Sequence, residues 1–172
     1  MKFNGESIVV DADVARASGV SEHPSSKNSR DLLQTLLRIK HKVGFCPILL
    51  DEWKKHRSLF AKQWLTSMTA RKLVVRLSPP PIVRAYIDAA EITEAQREIA
   101  NKDAHIVDAA LASDKFIASN DKKARDVFCR VADSSGSLCT VIWAIPSEDG
   151  EQISAILSDG NDIPPGWKLM HV

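Results

Sequence analysis

The sequence predicts an α/β fold, a three-layer α/β/α arrangement around a five-stranded, mostly parallel sheet. Two observations predict it. Short apolar runs rich in β-branched residues, such as "SIVV" (7–10), "KLVV" (72–75) and "TVIW" (140–143), read as buried strands. Between them lie longer segments with apolar residues at helical spacing, and strands alternating with helices imply a parallel sheet covered on both faces.

Taken in order, "SIVVDAD" is a first strand that meets a loop at Asp11 and Asp13. The Ser-rich stretch 18–30 is a loop leading into a helix over 30–43, where residues 32, 33, 36, 37 and 39 form the apolar stripe. "VGFCP" (43–47) is a second strand, and Pro47 suits the first turn of a long helix over 48–72. "KLVVRLS" (72–78) is a third strand, and "PPP" (79–81) resets the chain into another helix. Residues 93–113 read as one or two helices, with Thr93 as N-cap and Asp103 opening the part that leads to the next strand. "KFIASND" (115–121) is a fourth strand that, like the first, ends on an aspartate. A helix over 121–133, a fifth strand over 137–145, a short helix over 148–160 and a Pro/Gly-rich tail complete the order. A single domain spans 1–172, with its core over about 7–145 followed by the terminal helix and tail.

A chain of 172 residues, 44% hydrophobic and 26% charged, has the composition of an ordinary globular domain. No run of eighteen apolar residues occurs, so no membrane span is expected. "MKFNGES" lacks the apolar core of a secretory signal, and Cys46, Cys129 and Cys139 form no CxxC pair. A cytoplasmic protein with reduced thiols is the expectation. The net charge of +1 conceals segregation: residues 38–84 carry eleven Lys or Arg against Asp51 and Glu52, a local charge of +9. Such a block fits a polyanionic partner, nucleic acid first, or a solvated helix face; composition leaves both open.

Ligands of parallel sheets bind at the carboxyl ends of strands, where Asp11 and Asp121 both fall. Glu52, in the first turn after the second strand, and Asp103 start near the same rim. Two carboxylates about 4 Å apart repel by roughly 4 kcal/mol at an effective dielectric of about 20. Convergence of four therefore makes sense around a cation, and hard oxygens suit Mg²⁺ or Mn²⁺. Taken singly, each acid has another use, as a helix cap or a first-turn dipole partner.

Here the sequence resembles the PIN-domain family of metal-dependent ribonucleases, over roughly residues 7–145. "VVDAD" resembles that family's first strand, with Asp11 as its first acid. "PILLDEW" resembles its helix start, with Glu52 as the second. "KDAHIVDAALASDKFIASND" carries the most specific likeness, with Asp103 and Asp121 in the third and fourth acidic positions and Ser119 matching the small hydroxyl residue before the last acid. The resemblance implies strand order 3-2-1-4-5 and an acidic pocket that cuts RNA phosphodiesters with Mg²⁺ or Mn²⁺. It also brings a toxin role into view, with an inhibitory antitoxin protein or a homo-oligomer as partners. The chain is longer than the compact toxin members, so that role follows less directly than the nuclease role.

Asp13 occupies a position where the family often has a small polar residue, and could assist the metal or bind loop amides. Lys54, Lys55, Arg57, Arg71 and Lys72 are the expected guides for the RNA backbone, because the pocket itself repels phosphate. A rival reading takes "VVDADV" as the DxDxV strand end of haloacid-dehalogenase-like phosphatases, with Asp11 as nucleophile and Asp13 as general acid. That family wants Ser or Thr at the end of the second strand, and "GFCPI" offers none. A non-catalytic RNA-binding domain of the same fold is the third reading.

Overall fold

Ile8, Val9 and Val10 are withdrawn from solvent in β1 (Ser7–Val10), the central strand of a five-stranded sheet. The structure is a computed structural model and describes residues 1–170. Around β1 stand β2 (Lys42–Phe45), β3 (Val74–Arg76), β4 (Phe116–Ala118) and β5 (Ile142–Ala144), in the order β3-β2-β1-β4-β5. All four pairings are parallel, with Ile8 opposite Val43, Val10 opposite Ala118, and Ala118 opposite Ala144. The expected fold class and strand order are both present.

Among the described residues, eight α-helices flank the sheet: α1 (Ala12–Ala17), α2 (Pro24–Arg38), α3 (Pro47–His56), α4 (Leu59–Ala70), α5 (Val83–Ala89), α6 (Glu94–Leu111), α7 (Lys122–Ala132) and α8 (Pro146–Asp159). From β1 the chain steps one way to β2 and β3, then returns to the other side for β4 and β5. Right-handed crossovers in opposite directions put their helices on opposite faces. Accordingly α2 packs on α1, α4 and α8, while α6 packs on α5 and α7. The crossover direction reverses between β1 and β4, which makes their carboxyl ends the switch point of the sheet.

Several boundaries differ from the sequence expectation, each for a physical reason. The helix expected from residue 30 begins at Pro24, whose fixed φ suits a first turn, and His23 Nδ1 accepts from Ser25 N–H at 3.3 Å. The single helix expected over 48–72 is two. Arg57 turns extended, and Ser58 caps α4 by accepting from Ala61 N–H at 3.1 Å. Residues 93–113 hold one helix, α6, closed at its start by a reciprocal capping box between Thr93 and Gln96. Asp103 lies inside that helix, so it neither opens nor caps one. The fifth strand is shorter than expected, because Leu138–Thr140 forms a 3-10 turn before it.

The core also runs past residue 145. Ile153, Ile156, Ile163, Trp167 and Leu169 are buried in the same apolar cluster. Trp53 and Trp64 belong to it, and each indole N–H is satisfied by a backbone carbonyl: Val10 O at 2.9 Å and Leu33 O at 2.5 Å. Among the described residues, no helix is long and apolar enough to cross a membrane.

Candidate active site

Four elements deliver carboxylates to one cavity of about 580 Å³, lined by Asp11, Asp13, Glu52, Asp103 and Asp121 among others. Asp11 directly follows β1 and is drawn to the neighbouring strand by its own N–H, which donates to Ala118 O at 3.0 Å. Asp121 follows β4, the strand beside it, so the switch point sets the two aspartates together. Glu52 comes from α3, and Trp53 next to it ties that helix to the last residue of β1. Asp103 comes from α6. Its helical neighbours Ala100, Ile106 and Val107 are all buried, so it stands on an apolar stripe where a carboxylate has no packing purpose.

Hydrogen bonds fix most of these side chains. Ser119 Oγ donates to Asp11 Oδ2 at 2.7 Å and accepts from Asp121 N–H at 3.2 Å. Asp121 Oδ1 accepts from Ala124 N–H at 2.9 Å, so this acid does cap α7 while also lining the cavity. Glu52 Oε2 lies 2.9 Å from His105 Nε2, and His105 directly precedes the buried run 106–110 of α6. Asp13 Oδ2 accepts from Asn120 N–H at 3.0 Å. Its Oδ1 is enclosed and has no hydrogen-bond partner among the described residues.

The acids act on one another. Burial raises the Asp103 carboxyl to about 7, and the charges of Asp11, Asp121 and Glu52 add to that rise, with Lys102 opposing it. Asp11 is raised by burial, while the Ser119 hydroxyl and the Ala12 amide pull it down and Glu52 pushes it up. Asp13 is raised well above the usual carboxylate range, chiefly by burial and then by Asp11. Asp108 lies outside the site: buried, it accepts from Val83 N–H at 3.0 Å and holds the start of α5.

Of the basic residues expected to guide RNA, none lines the cavity. Lys54 and Lys55 are exposed in the last turn of α3, and Arg57 follows them. Arg71 and Lys72 sit just before β3, at the amino end of a parallel sheet whose carboxyl end holds the acids. The cations that do line the cavity are Arg16, Lys102, Lys122 and Lys123, with His56. Each of the four is a sequence neighbour, within three residues, of Asp13, Asp103 or Asp121. That adjacency is the sequence signal for these cations, whereas no Lys or Arg of the larger basic block lines the cavity. Asn120 was also missed as the residue whose amide holds Asp13.

No protein-family model matches the chain, and no curated protein matches it. The site must therefore be judged on its own chemistry. As placed, no three His, Cys, Asp or Glu side chains among the described residues are grouped to hold a metal ion. The donor types nonetheless fit a hard divalent cation: several carboxylates in one open cavity, mutually unfavourable when charged, with an enclosed oxygen on Asp13 left unpaired.

Proposed function

We propose that this chain is a metal-dependent endoribonuclease of the PIN-domain kind, cutting RNA phosphodiesters at the cavity of Asp11, Glu52, Asp103 and Asp121. The observation that carries the reading is the arrival of four carboxylates, from four separate elements, at the switch point of a parallel sheet. The same four residues would hold Mg²⁺ or Mn²⁺, which supplies a lowered water pKa and charge neutralisation at the phosphate. The chain's own part is to set geometry and field. Ser119 holds Asp11 in place, His105 holds Glu52, and α7 holds Asp121 by its cap. Without the ion, the Asp103 carboxyl at about 7 keeps a proton near neutrality, and binding of the cation would displace it. Arg16, Lys102 and Lys123 around the cavity attract the flanking phosphates that the acids repel.

The phosphatase reading finds no support at β2, which leads into the buried, hydroxyl-free Cys46. Three free cysteines accord with a cytoplasmic location. The test is incubation of the full chain with end-labelled single-stranded and hairpin RNAs, in Mn²⁺ or in chelator. Cleavage that needs Mn²⁺ and is lost in Asp103→Asn is the expected result. RNA binding without cleavage under any divalent ion would favour the non-catalytic domain.

A further inference from the structure

Asp13 differs from the other acids of the cavity in how its two oxygens are used. Oδ2 accepts from Asn120 N–H at 3.0 Å, with Ser119 Oγ 3.4 Å away. Oδ1 is enclosed and has no partner among the described residues. The turn that holds Oδ2 cannot swing to serve Oδ1, because Asn120 is fixed at both ends. Its Oδ1 accepts from Ser147 N–H at 2.8 Å at the start of α8, and its Nδ2 donates to the buried Ser29 Oγ at 3.2 Å on α2.

An anchor for the Asn120 amide needs only a neutral acceptor, and the carbonyl of asparagine would do. A carboxylate here instead adds charge beside Asp11 and Asp121, and leaves an enclosed oxygen without a donor. Both costs are offset by a cation at Oδ1. We infer that Asp13 is a fifth carboxylate of the site and ligates a divalent cation through Oδ1, with Asn120 as the positioning residue that aims it. This rests on the metal-dependent reading of the cavity. One oxygen pinned by an amide and the other left without a donor is the arrangement of a monodentate ligand with its outer support in place.

The test is calorimetric titration of Mn²⁺ into the full chain, unaltered and as Asp13→Asn, with thermal melts of both in chelator. The asparagine carbonyl still accepts from Asn120 N–H, so the turn keeps its anchor. Asp13→Ser, with a shorter neutral acceptor, serves as a second variant. The expected result is Mn²⁺ affinity weakened at least about tenfold, or one ion lost from the stoichiometry, in both variants. Melting temperatures in chelator should be unchanged or higher for Asp13→Asn. Unaltered affinity and stoichiometry in either variant, whatever its melting temperature, would leave Asp13 as a loop anchor and overturn the inference. An unaltered protein that binds no Mn²⁺ would instead bring down the reading of the whole site.

Discussion

The Ser119 hydroxyl donates to Asp11 Oδ2 at 2.7 Å, joining the end of β4 to the end of β1 across the switch point. Ser119 is fully buried, and its oxygen also receives the Asp121 N–H at 3.2 Å, so one hydroxyl orders two acids. Ser119→Ala leaves the buried Asp11 carboxylate short of a donor and the Asp121 amide short of an acceptor. The expected cost is about 1–3 kcal/mol of stability in chelator, read by urea unfolding. Cleavage should fall at least about tenfold, by the magnitude typical of supports behind a metal ligand. Ser119→Thr, which keeps the hydroxyl, should recover most of both.

Asp121 both caps α7 and lines the cavity, and one substitution separates the two roles. Asparagine is as good a cap as aspartate, and its side-chain oxygen can keep the bond from Ala124 N–H. It also removes a charge that raises both Asp103 and Asp13. Asp121→Asn should therefore melt in chelator at the same temperature as the unaltered chain or higher, yet lose cleavage and most of the stabilisation that Mn²⁺ gives. Asp121→Ala should lose the cap as well, at about 1 kcal/mol. Cleavage retained by Asp121→Asn would reduce Asp121 to a cap.

The strands and the two strand-end aspartates were legible because they rest on local pattern, whereas the order 3-2-1-4-5 followed only from the family resemblance. Apolar β-branched runs mark strands, and the residue after the run falls at the rim whatever its neighbours do. The place of Asp103 was less legible. Apolar periodicity alone does not distinguish a helix that opens at residue 103 from one that opens at Thr93 and runs through. The capping box with Gln96 decides it, and it leaves Asp103 on the buried stripe. The break at Arg57 and Ser58 was equally hidden, since a serine caps a helix only where the tertiary fold bends the chain. Here Ser58 also donates to Ser18 O at 3.2 Å, a contact 40 residues away in sequence. Basic residues mislead for a related reason: charge density along the chain does not say which end of a parallel strand it decorates.

The raised carboxyl of Asp103 carries a pH signature. Between 3.8 and about 7 the folded protein holds a proton that the unfolded chain has released. Stability is therefore greatest below the ordinary carboxylate value and is lost as pH rises through about 7. Asp11 and Asp13, also raised by burial, act in the same direction. In chelator, urea midpoints should decline from pH 5 to pH 8, and Asp103→Asn should flatten the decline. Mn²⁺ competes with that proton, so its affinity should increase over the same interval. A midpoint that rises with pH in chelator would contradict the burial of these acids.

The last prediction concerns which cations meet RNA. Lys102 and Lys123 are exposed, line the cavity, and sit beside Asp103 and Asp121, whereas Lys122, also at the cavity, is paired with Glu148. Arg71 and Lys72 lie at the opposite end of the sheet. A single strand bound across the acids would release counterions near the first pair and not near the second. Each lost phosphate contact should lower the slope of log affinity against log salt by about 0.7 for single-stranded RNA. Binding is measured in Ca²⁺, an ion chosen to hold the carboxylates in their charged form while slowing turnover. Lys102→Gln and Lys123→Gln should each shallow the slope by about that amount and weaken binding at low salt. Arg71→Gln and Lys72→Gln should change neither quantity. The reverse pattern would mean that RNA approaches along the β3 edge, from the basic block that the sequence first suggested, and would require a path round the sheet to reach the acids.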